Sequence, residues 1–353
     1  MSGGVDSSVA ALLLREQGLD VAGVHLRLLH NEDLGQGLES SCCSLADAED
    51  ARGAAYRLGM KFYVFDFSDL FREQVSRRFA EGYARGETPN PCMDCNRFIK
   101  WEALVRRAET LDVDAIATGH YARIDRDEDS GRWVLRRGVD ENKDQSYFLS
   151  RLTQHQLSRT LLPLGTLTKP EVRRLAEEAG LPAARKRDSQ DLCFAPDGDY
   201  AAFCRRLTGK AEEGGDILDE KGHIIGRHQG LIRYTLGQRR GLGISSETPL
   251  YVCGKNPADN TLTVGPESSL YSRRLVAGEM NWIAVPAPEE PRRAEAQTRY
   301  RQKVCPAEVL PLPDGSVLVE FDRPQRAVTP GQTVALYDGD TVLGAGTILK
   351  TYR

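Results

Sequence analysis

The chain has 353 residues, 40% of them hydrophobic and 28% charged, with a formal net charge of −4. That length and apolar content suffice for more than one hydrophobic core, predict two or three domains, and exclude a disordered chain. No window of about eighteen apolar residues exists for a membrane span, and the first residues lack the basic and apolar regions of a signal peptide. No membrane partner is therefore expected, and the expected compartment is the cytoplasm.

The first stretch, Ser2-Gly3-Gly4-Val5-Asp6-Ser7-Ser8, runs into the apolar segment Val9–Leu14 and reads as a phosphate-binding turn opening a helix that ends at Gly18. Two glycines let the backbone approach a ligand closely, and consecutive N–H groups at a helix N-terminus point at an anion. Ser7 and Ser8 add hydroxyl donors, and Asp6 suits a metal ion beside phosphates. No lysine follows, so the loop is not GxxxxGK[ST], and no GxGxxG fingerprint appears after a strand. A loop of this kind is expected to follow a buried strand; only Met1 precedes it, which leads us to expect that the native chain begins upstream.

Asp20 to Leu29 is a β-branched and apolar run, Ser44 to Leu58 fits a helix, and Lys61 to Phe67 reads as a buried strand. This βαβα alternation predicts a parallel sheet with helices on both faces, ligands gathering at the carboxyl ends of its strands. A helix from about Ser68 to Arg85 leads into Thr88-Pro89-Asn90-Pro91-Cys92-Met93-Asp94-Cys95-Asn96, which its prolines mark as a loop. Arg97 to Leu111 returns to helix, and Val113 to Thr118 is a strand that ends at Gly119-His120-Tyr121. A hairpin spans Tyr121 to Arg137 with its turn at Asp129-Ser130-Gly131, and the polar Asn142–Ser146 follows. Thr168 and Glu171 form a capping box, with Pro170 in the first turn of a helix that stops at Gly180. Arg185-Lys186-Arg187 then precedes Asp188–Phe194.

From about Ala211 the texture changes to short runs punctuated by Gly, Pro and Asp/Glu turns, which predict β structure. Ala287 to Pro291 reads as a linker, and Arg293 to Arg353 as further short strands of a small barrel. The expected architecture is thus α/β: a Rossmann-like parallel-sheet domain over residues 1–208, a small β-rich central domain over 209–278, and a C-terminal β-barrel over 279–353. Charge is unevenly spread. Residues 227–303 carry 12 Lys/Arg against 7 Asp/Glu, a local excess of +5 that leaves −9 on the remainder. Such a stretch could track a phosphate backbone, although charge pattern alone favours a solvated surface.

Eight unevenly spaced cysteines, with Cys42 and Cys43 adjacent, do not resemble the framework of a small secreted domain. Cys92-Met93-Asp94-Cys95 is a Cys-x-x-Cys open to three roles: metal half-site, redox dithiol, or nucleophile with a neighbour. No second Cys-x-x-Cys exists, so a closed zinc site would have to recruit isolated ligands such as Cys193 or His120. Cys42, Cys43, Cys204, Cys253 and Cys305 read as packing residues.

Ser2–Ser8 resembles the loop of the PP-loop ATP pyrophosphatases. Further along, Thr88–Pro91 with Cys95-Asn96, Ala117–Tyr121, Lys143–Leu149, Asp188–Phe194, His228-Gln229-Gly230, Tyr234–Arg239, Thr298–Arg301 and Thr329–Gln332 are similar to the tRNA-specific 2-thiouridylase branch of that superfamily, over essentially the whole chain. The resemblance implies replacement of the C2 oxygen of wobble uridine 34 by sulfur in tRNAs for Lys, Glu and Gln. It implies ATP and Mg²⁺ as cofactors, tRNA as substrate, and a cysteine desulfurase or sulfur-relay protein as persulfide donor.

Carried over by position, the resemblance gives Ser2, Gly3, Gly4, Val5, Asp6, Ser7, Ser8, Leu26 and Gly119 to the nucleotide. It gives Asn90, Pro91 and Cys92 to the target base, and His120, Lys143, Asp144, Gln145, Arg299, Tyr300 and Gln332 to the tRNA. Cys193 is implied to carry the persulfide and Cys95 to be its partner, the two closing a disulfide afterwards. Arg185, Lys186 and Arg187 are read either as lowering the Cys193 thiol pKa or as a solvated run. Many members of the branch carry Asp at the position of Cys92, and the change creates a second reading in which Cys92, Cys95 and Cys193 hold a [4Fe–4S] cluster. Two rivals share the phosphate loop: an adenylating ligase for a small molecule, and an RNA-binding protein with a vestigial nucleotide site.

Overall fold

A computed structural model describes residues 1–30, 45–186, 192–195, 198–209 and 212–352. Two compact units emerge: Met1–Val75 with Cys92–Phe203 and Asp340–Val342, and Ser76–Pro91 with Cys204–Gly339 and Leu343–Arg353. Most expected elements are found, but among the described residues the expected parallel sheet appears as two separate strand pairs and the strand read over Val113–Thr118 spans only Ile116–Ala117; three further differences arise.

In the first unit the α/β pattern appears as two parallel strand pairs. Gly23–Arg27 pairs with Phe62–Asp66, and Ile116–Ala117 with Thr160–Leu161. The helix Val5–Glu16 opens directly from the glycine loop, and its apolar face, Val5, Val9 and Ala10, packs with Val172 and Ala176 of the helix Lys169–Glu178 and with Tyr121, Leu164 and Leu181. This shared core brings the start of the later helix to the start of the first. The hairpin Ala122–Arg126/Trp133–Arg137 turns at Gly131, whose φ of +68° a residue with a Cβ rarely adopts. The capping box also forms: Glu171 accepts hydrogen bonds from the Thr168 N–H and hydroxyl, each at 2.7 Å.

The first difference concerns Phe62–Asp66, read as a buried strand. Tyr63 is 48% and Val64 54% exposed. Among the described residues this strand has a partner on one edge only, Gly23–Arg27, so its apolar run is not enclosed as a central strand would be. A second difference lies in the loop Thr88–Asn96, where helix begins at Pro91 and continues through Glu109. Proline was read as a breaker, but at the first helical position its missing N–H is not needed and its fixed φ fits. The third is the geometry of that helix, which is π-helical from Cys95 to Ala103, as is Arg72–Arg77 within the run Ser68–Ala84.

The second unit is β-rich as expected. Gly215–Leu218, Ile224–His228, Tyr251–Asn256 and Thr261–Gly265 form a four-stranded sheet over a core of Ile217, Val252, Leu262 and Val264. Six further strands make a closed barrel in the order Tyr271–Trp282, Val317–Arg326, Cys305–Pro311, Arg292–Gln297, Thr333–Asp338 and Thr341–Tyr352, the last pairing back onto the first. Alternate residues such as Leu275, Ala277, Val319, Phe321, Val334 and Leu336 fill its interior, the period-two pattern of a strand with one buried face.

Candidate functional site

Gly3, at φ +73°, turns where a Cβ would lie 2.4 Å from the carbonyl oxygen of Asp47, so the loop is pressed against the helix Leu45–Arg57. Gly4 precedes the first helical residue with extended backbone and no side-chain cap, leaving the first N–H groups of a twelve-residue helix to whatever binds there. Ser7 Oγ accepts from the Ser2 N–H (3.2 Å) and donates to Gly4 O (3.1 Å), and Ser8 Oγ donates to the same carbonyl at 3.0 Å. Both hydroxyls therefore hold the loop in shape here.

Asp6 is the charged centre of the loop. Lys169 Nζ donates to both of its oxygens at 2.8 Å, and Tyr121 OH donates to Oδ1 at 2.7 Å. Sequence reading missed both partners, because they lie 163 and 115 residues away and carry no local signal. Their placement has identifiable causes: the Lys169 N–H is held by the buried Asp140 carboxylate at 2.9 Å, and Tyr121 exchanges backbone and side-chain hydrogen bonds with Gln145. Gly119 closes the other side, for a Cβ there would stand 2.6 Å from the backbone of Asp6 and 2.8 Å from the Ser7 nitrogen. Leu26, half-buried, lies on the strand Gly23–Arg27, tied to the residue before the loop by the His25 Nδ1–H to Met1 O bond of 3.0 Å.

His120 shares a 2.8 Å hydrogen bond with Thr118 Oγ1, and its ring lies 5.3 Å from that of Trp101 on the helix that bears Cys95. Burial, with a contribution from the charge of Lys100, holds this imidazole well below 6.5, so it is neutral at physiological pH and acts as a hydrogen-bonding and stacking group. The unfolded chain then binds the proton first on acidification. We expect stability to fall as pH drops below about 6.5, and His120→Gln to flatten that limb in pH-dependent urea unfolding.

The polar run at 143–146 is largely internal. Asp144 accepts from the Gly138 and Ser146 N–H groups, Ser146 Oγ and Arg137 Nη1, at 2.9–3.2 Å. Gln145 orients Tyr121. Lys143 is half-buried.

Cys92 is exposed, Cys95 buried at 8% exposure, and Cys193 half-buried. The π-helix begins at Cys95; such local widening recurs at functional sites. Its neighbour Asn96 donates to Phe148 O at 3.3 Å and buries an Oδ1 with no hydrogen-bond partner among the described residues. Cys193 is fixed by the next residue: the Phe194 ring packs at 4.5 Å on Phe203 and 6.2 Å on Phe71. Lys186 corrects the expectation for the basic run. Burial opposes its charge, but hydrogen bonds from Nζ to Asp47 and Asp50, both 2.6 Å, outweigh it and raise its pKa. That ammonium is ion-paired to two carboxylates. Arg187, Asp188–Asp191, Cys42 and Cys43 lie outside the described residues. Cys204 is a packing residue, its thiol pushed up to about 12 by burial and by Glu212; Cys305 is likewise buried.

Among the described residues no three His, Cys, Asp or Glu side chains are gathered to hold a metal ion. Cys92, Cys95 and Cys193 are described, so this structure does not assemble them as a cluster's ligand set, and no step is derived through one. Asp6 fits a magnesium ion better, since Oδ2 takes one hydrogen bond and keeps acceptor capacity.

In the second unit, Asn90 and Pro91 follow a tightly held peptide. The Thr88 N–H donates to Pro330 O at 3.2 Å, and Gln332 Nε2 donates to Thr88 O. Arg299 donates to Leu236 O (3.3 Å) and Thr329 Oγ1 (2.8 Å), and Tyr300 is half-buried. Two of the residues assigned to tRNA by resemblance thus tie parts of the unit together. Arg239, Arg240, Arg273, Arg274, Arg301 and Lys303 are exposed, whereas Arg293 forms a two-bond fork with Asp322.

Three family descriptions match the chain: "tRNA methyl transferase HUP domain" at residues 1–197, "tRNA methyl transferase PRC-barrel domain" at 203–266, and "Aminomethyltransferase beta-barrel domain" at 272–348. It is 47% identical over 349 residues to the tRNA-specific 2-thiouridylase MnmA of Acetivibrio thermocellus, covering 99% of this chain and 97% of the relative. The protein of the same name from Clostridioides difficile is 44% identical over 351 residues, with the same coverage. A solved structure, the U34-tRNA thiolase NcsA from Methanococcus maripaludis with its [4Fe-4S] cluster, is 20% identical at a TM-score of 0.33, over 59% of this chain and 68% of that one. That likeness is too slight to carry the cluster across. No helix among the described residues is long and apolar enough to cross a membrane.

Proposed function

The chain belongs to the tRNA-specific 2-thiouridylase family, and from that premise we propose that it activates C2 of wobble uridine 34, in tRNAs for Lys, Glu and Gln, with ATP and replaces its oxygen by a persulfide sulfur. The observation that carries the mechanism is the convergence of Lys169, Tyr121 and Gly119 on Asp6 of the glycine loop. A uridine carbonyl oxygen is a poor leaving group. Its attack on the α-phosphorus of ATP releases pyrophosphate and leaves C2 bonded to AMP, which departs readily. The open N–H groups at the start of Val5–Glu16 hold phosphate oxygens, and Lys169 supplies the cation that the loop's own sequence lacks, where negative charge develops. Magnesium, joined by Asp6, would further neutralise the departing pyrophosphate.

Sulfur transfer is assigned to Cys193 and Cys95. The terminal sulfur of a Cys193 persulfide, supplied by a cysteine desulfurase or a relay protein, attacks C2 and expels AMP. The Cys95 thiolate then attacks Cys193 Sγ; the sulfur–sulfur bond breaks, its electron pair stays on the sulfur at C2, and a Cys95–Cys193 disulfide remains for a cellular dithiol to reduce. The π-helical stretch that begins at Cys95 supports this role, since such local widening recurs at functional sites. Asn90, Pro91 and Cys92 are assigned to the extruded base, and the exposed Arg239, Arg240, Arg273, Arg274, Arg301 and Lys303 to the tRNA backbone, joined by Lys143, His120 and Tyr300. Asp144, Gln145, Arg299 and Gln332 serve by holding the loops around these groups.

Pyrophosphate release from ATP should depend on unmodified tRNA. Release at the same rate without tRNA would instead identify a small-molecule ligase.

A further inference from the structure

Lys255, on the strand Tyr251–Asn256, has no place in the reading above, yet its surroundings are unusual. Its Nζ donates to the carbonyls of Glu87 at 3.0 Å and Tyr234 at 3.2 Å and lies 5.0 Å from the centre of the Tyr83 ring. The nearby Glu87 carboxylate is itself held by Arg85, Nε to Oε1 at 3.1 Å and Nη2 to Oε2 at 3.0 Å. Burial lowers the amine to about 8, with the Glu87 charge opposing the shift. A cation kept among carbonyls and a ring, with its nearest carboxylate engaged elsewhere, costs stability and makes a poor choice for simple packing.

What it holds is the approach to Asn90 and Pro91. Gly86 turns at φ +79° with Pro257 where its Cβ would be, Glu87 O is taken by Lys255, and both backbone groups of Thr88 are taken by Pro330 and Gln332. Gly331 presses on the Glu87 side chain, 2.9 Å from where its own Cβ would lie. The other carbonyl bound by Lys255, that of Tyr234, opens the run Tyr234–Arg239, which ends in the exposed arginines of the basic stretch.

We propose that Lys255 is a positioning residue for thiolation: by binding Glu87 O and Tyr234 O together, it fixes the peptide that presents Asn90 and Pro91 to the target base relative to the run that meets the tRNA backbone. This inference rests on the assignment of Asn90 and Pro91 to the base. Lys255 touches neither base nor nucleotide; it acts through the peptide at 87–88.

The test compares wild type with Lys255→Met and Lys255→Arg, using an unmodified tRNA transcript with U34. Three readouts are taken: tRNA Kd, the single-turnover rate of 2-thiouridine formation at saturating tRNA, and amide exchange of the peptide covering residues 84–92. Lys255→Met is expected to lower the rate about tenfold or more while Kd stays within about threefold, and to speed exchange in that peptide. Lys255→Arg, which keeps the charge and two donors, should recover part of the rate. A Lys255→Met rate within about twofold of wild type, or a loss matched by an equal rise in Kd, would overturn the proposal. Should Met at this position prevent folding, Lys255→Gln decides on the same readouts, since its amide is too short to reach both carbonyls. A wild-type protein that forms no 2-thiouridine would instead defeat the functional reading, leaving the two failures distinguishable.

Discussion

Cys193→Ser protein is expected to release pyrophosphate from ATP in the presence of tRNA at a rate near wild type, while forming 2-thiouridine about 10³-fold more slowly or not at all. A serine hydroxyl cannot carry a persulfide, so no sulfur reaches C2. Adenylation, by contrast, is assigned to Ser2–Ser8 and Lys169 and needs no sulfur. The separation of the two steps is the informative part, because a protein damaged in folding would lose both. Cys95→Ser should also fail to turn over, but at a later point of the same sequence: the Cys193 persulfide can attack C2, and the sulfur then remains bridged between enzyme and tRNA. A covalent enzyme–tRNA species, released by dithiothreitol and absent in Cys193→Ser, is the expected signature on denaturing gels. Cys253→Ser serves as control, since that half-buried thiol has no part in the proposed sulfur transfer and donates to the nearby Tyr251 carbonyl. Thiolation by Cys193→Ser at the wild-type rate would remove the persulfide mechanism.

Lys169→Met is expected to lower tRNA-dependent pyrophosphate release by about 10²–10³-fold, the scale on which removing one preorganised charge from a developing anion is felt. Two effects act in the same direction. The phosphates lose the cation nearest the loop, and Asp6, whose two oxygens both accept from Lys169 Nζ, is left as a negative charge beside the incoming nucleotide. Lys169 is 10% exposed and Asp6 34%, so the pair is partly screened and its contribution to folding is modest compared with its contribution to the reaction. The variant should therefore remain folded, with normal tRNA affinity and a lowered affinity for ATP. Pyrophosphate release within about threefold of wild type would mean that Lys169 only braces the loop.

The parts of this molecule that could be read from the sequence are the ones built from neighbours in the chain. The glycine loop and its helix, the turn at Gly131 and the capping box at Thr168–Glu171 each depend on a few consecutive residues, and each formed as expected. The β-rich second half followed from the density of turn residues between short runs, which gave its barrel only weak support. What was missed depends on contacts across long separations. Nothing near Asp6 announces Lys169 or Tyr121, and nothing near Lys186 announces its ion pairs with Asp47 and Asp50. Pro91 misled for a different reason, since the same residue that breaks a helix interior is well suited to a helix's first position. The resemblance assigns Asp144, Arg299 and Gln332 to the tRNA, and the fold adds hydrogen bonds to their own chain that no local pattern announces.

The central claim is that this chain installs sulfur at C2 of wobble uridine. Its most direct test is mass analysis of nucleosides from unmodified tRNA incubated with the protein, ATP, magnesium and a persulfide donor, run aerobically and under anaerobic conditions with iron and sulfide content determined. The account predicts 2-thiouridine confined to position 34, dependent on ATP and on Cys193, produced by iron-free protein. Absence of 2-thiouridine under both conditions would contradict it, and activity found only in iron-loaded protein would contradict the persulfide route.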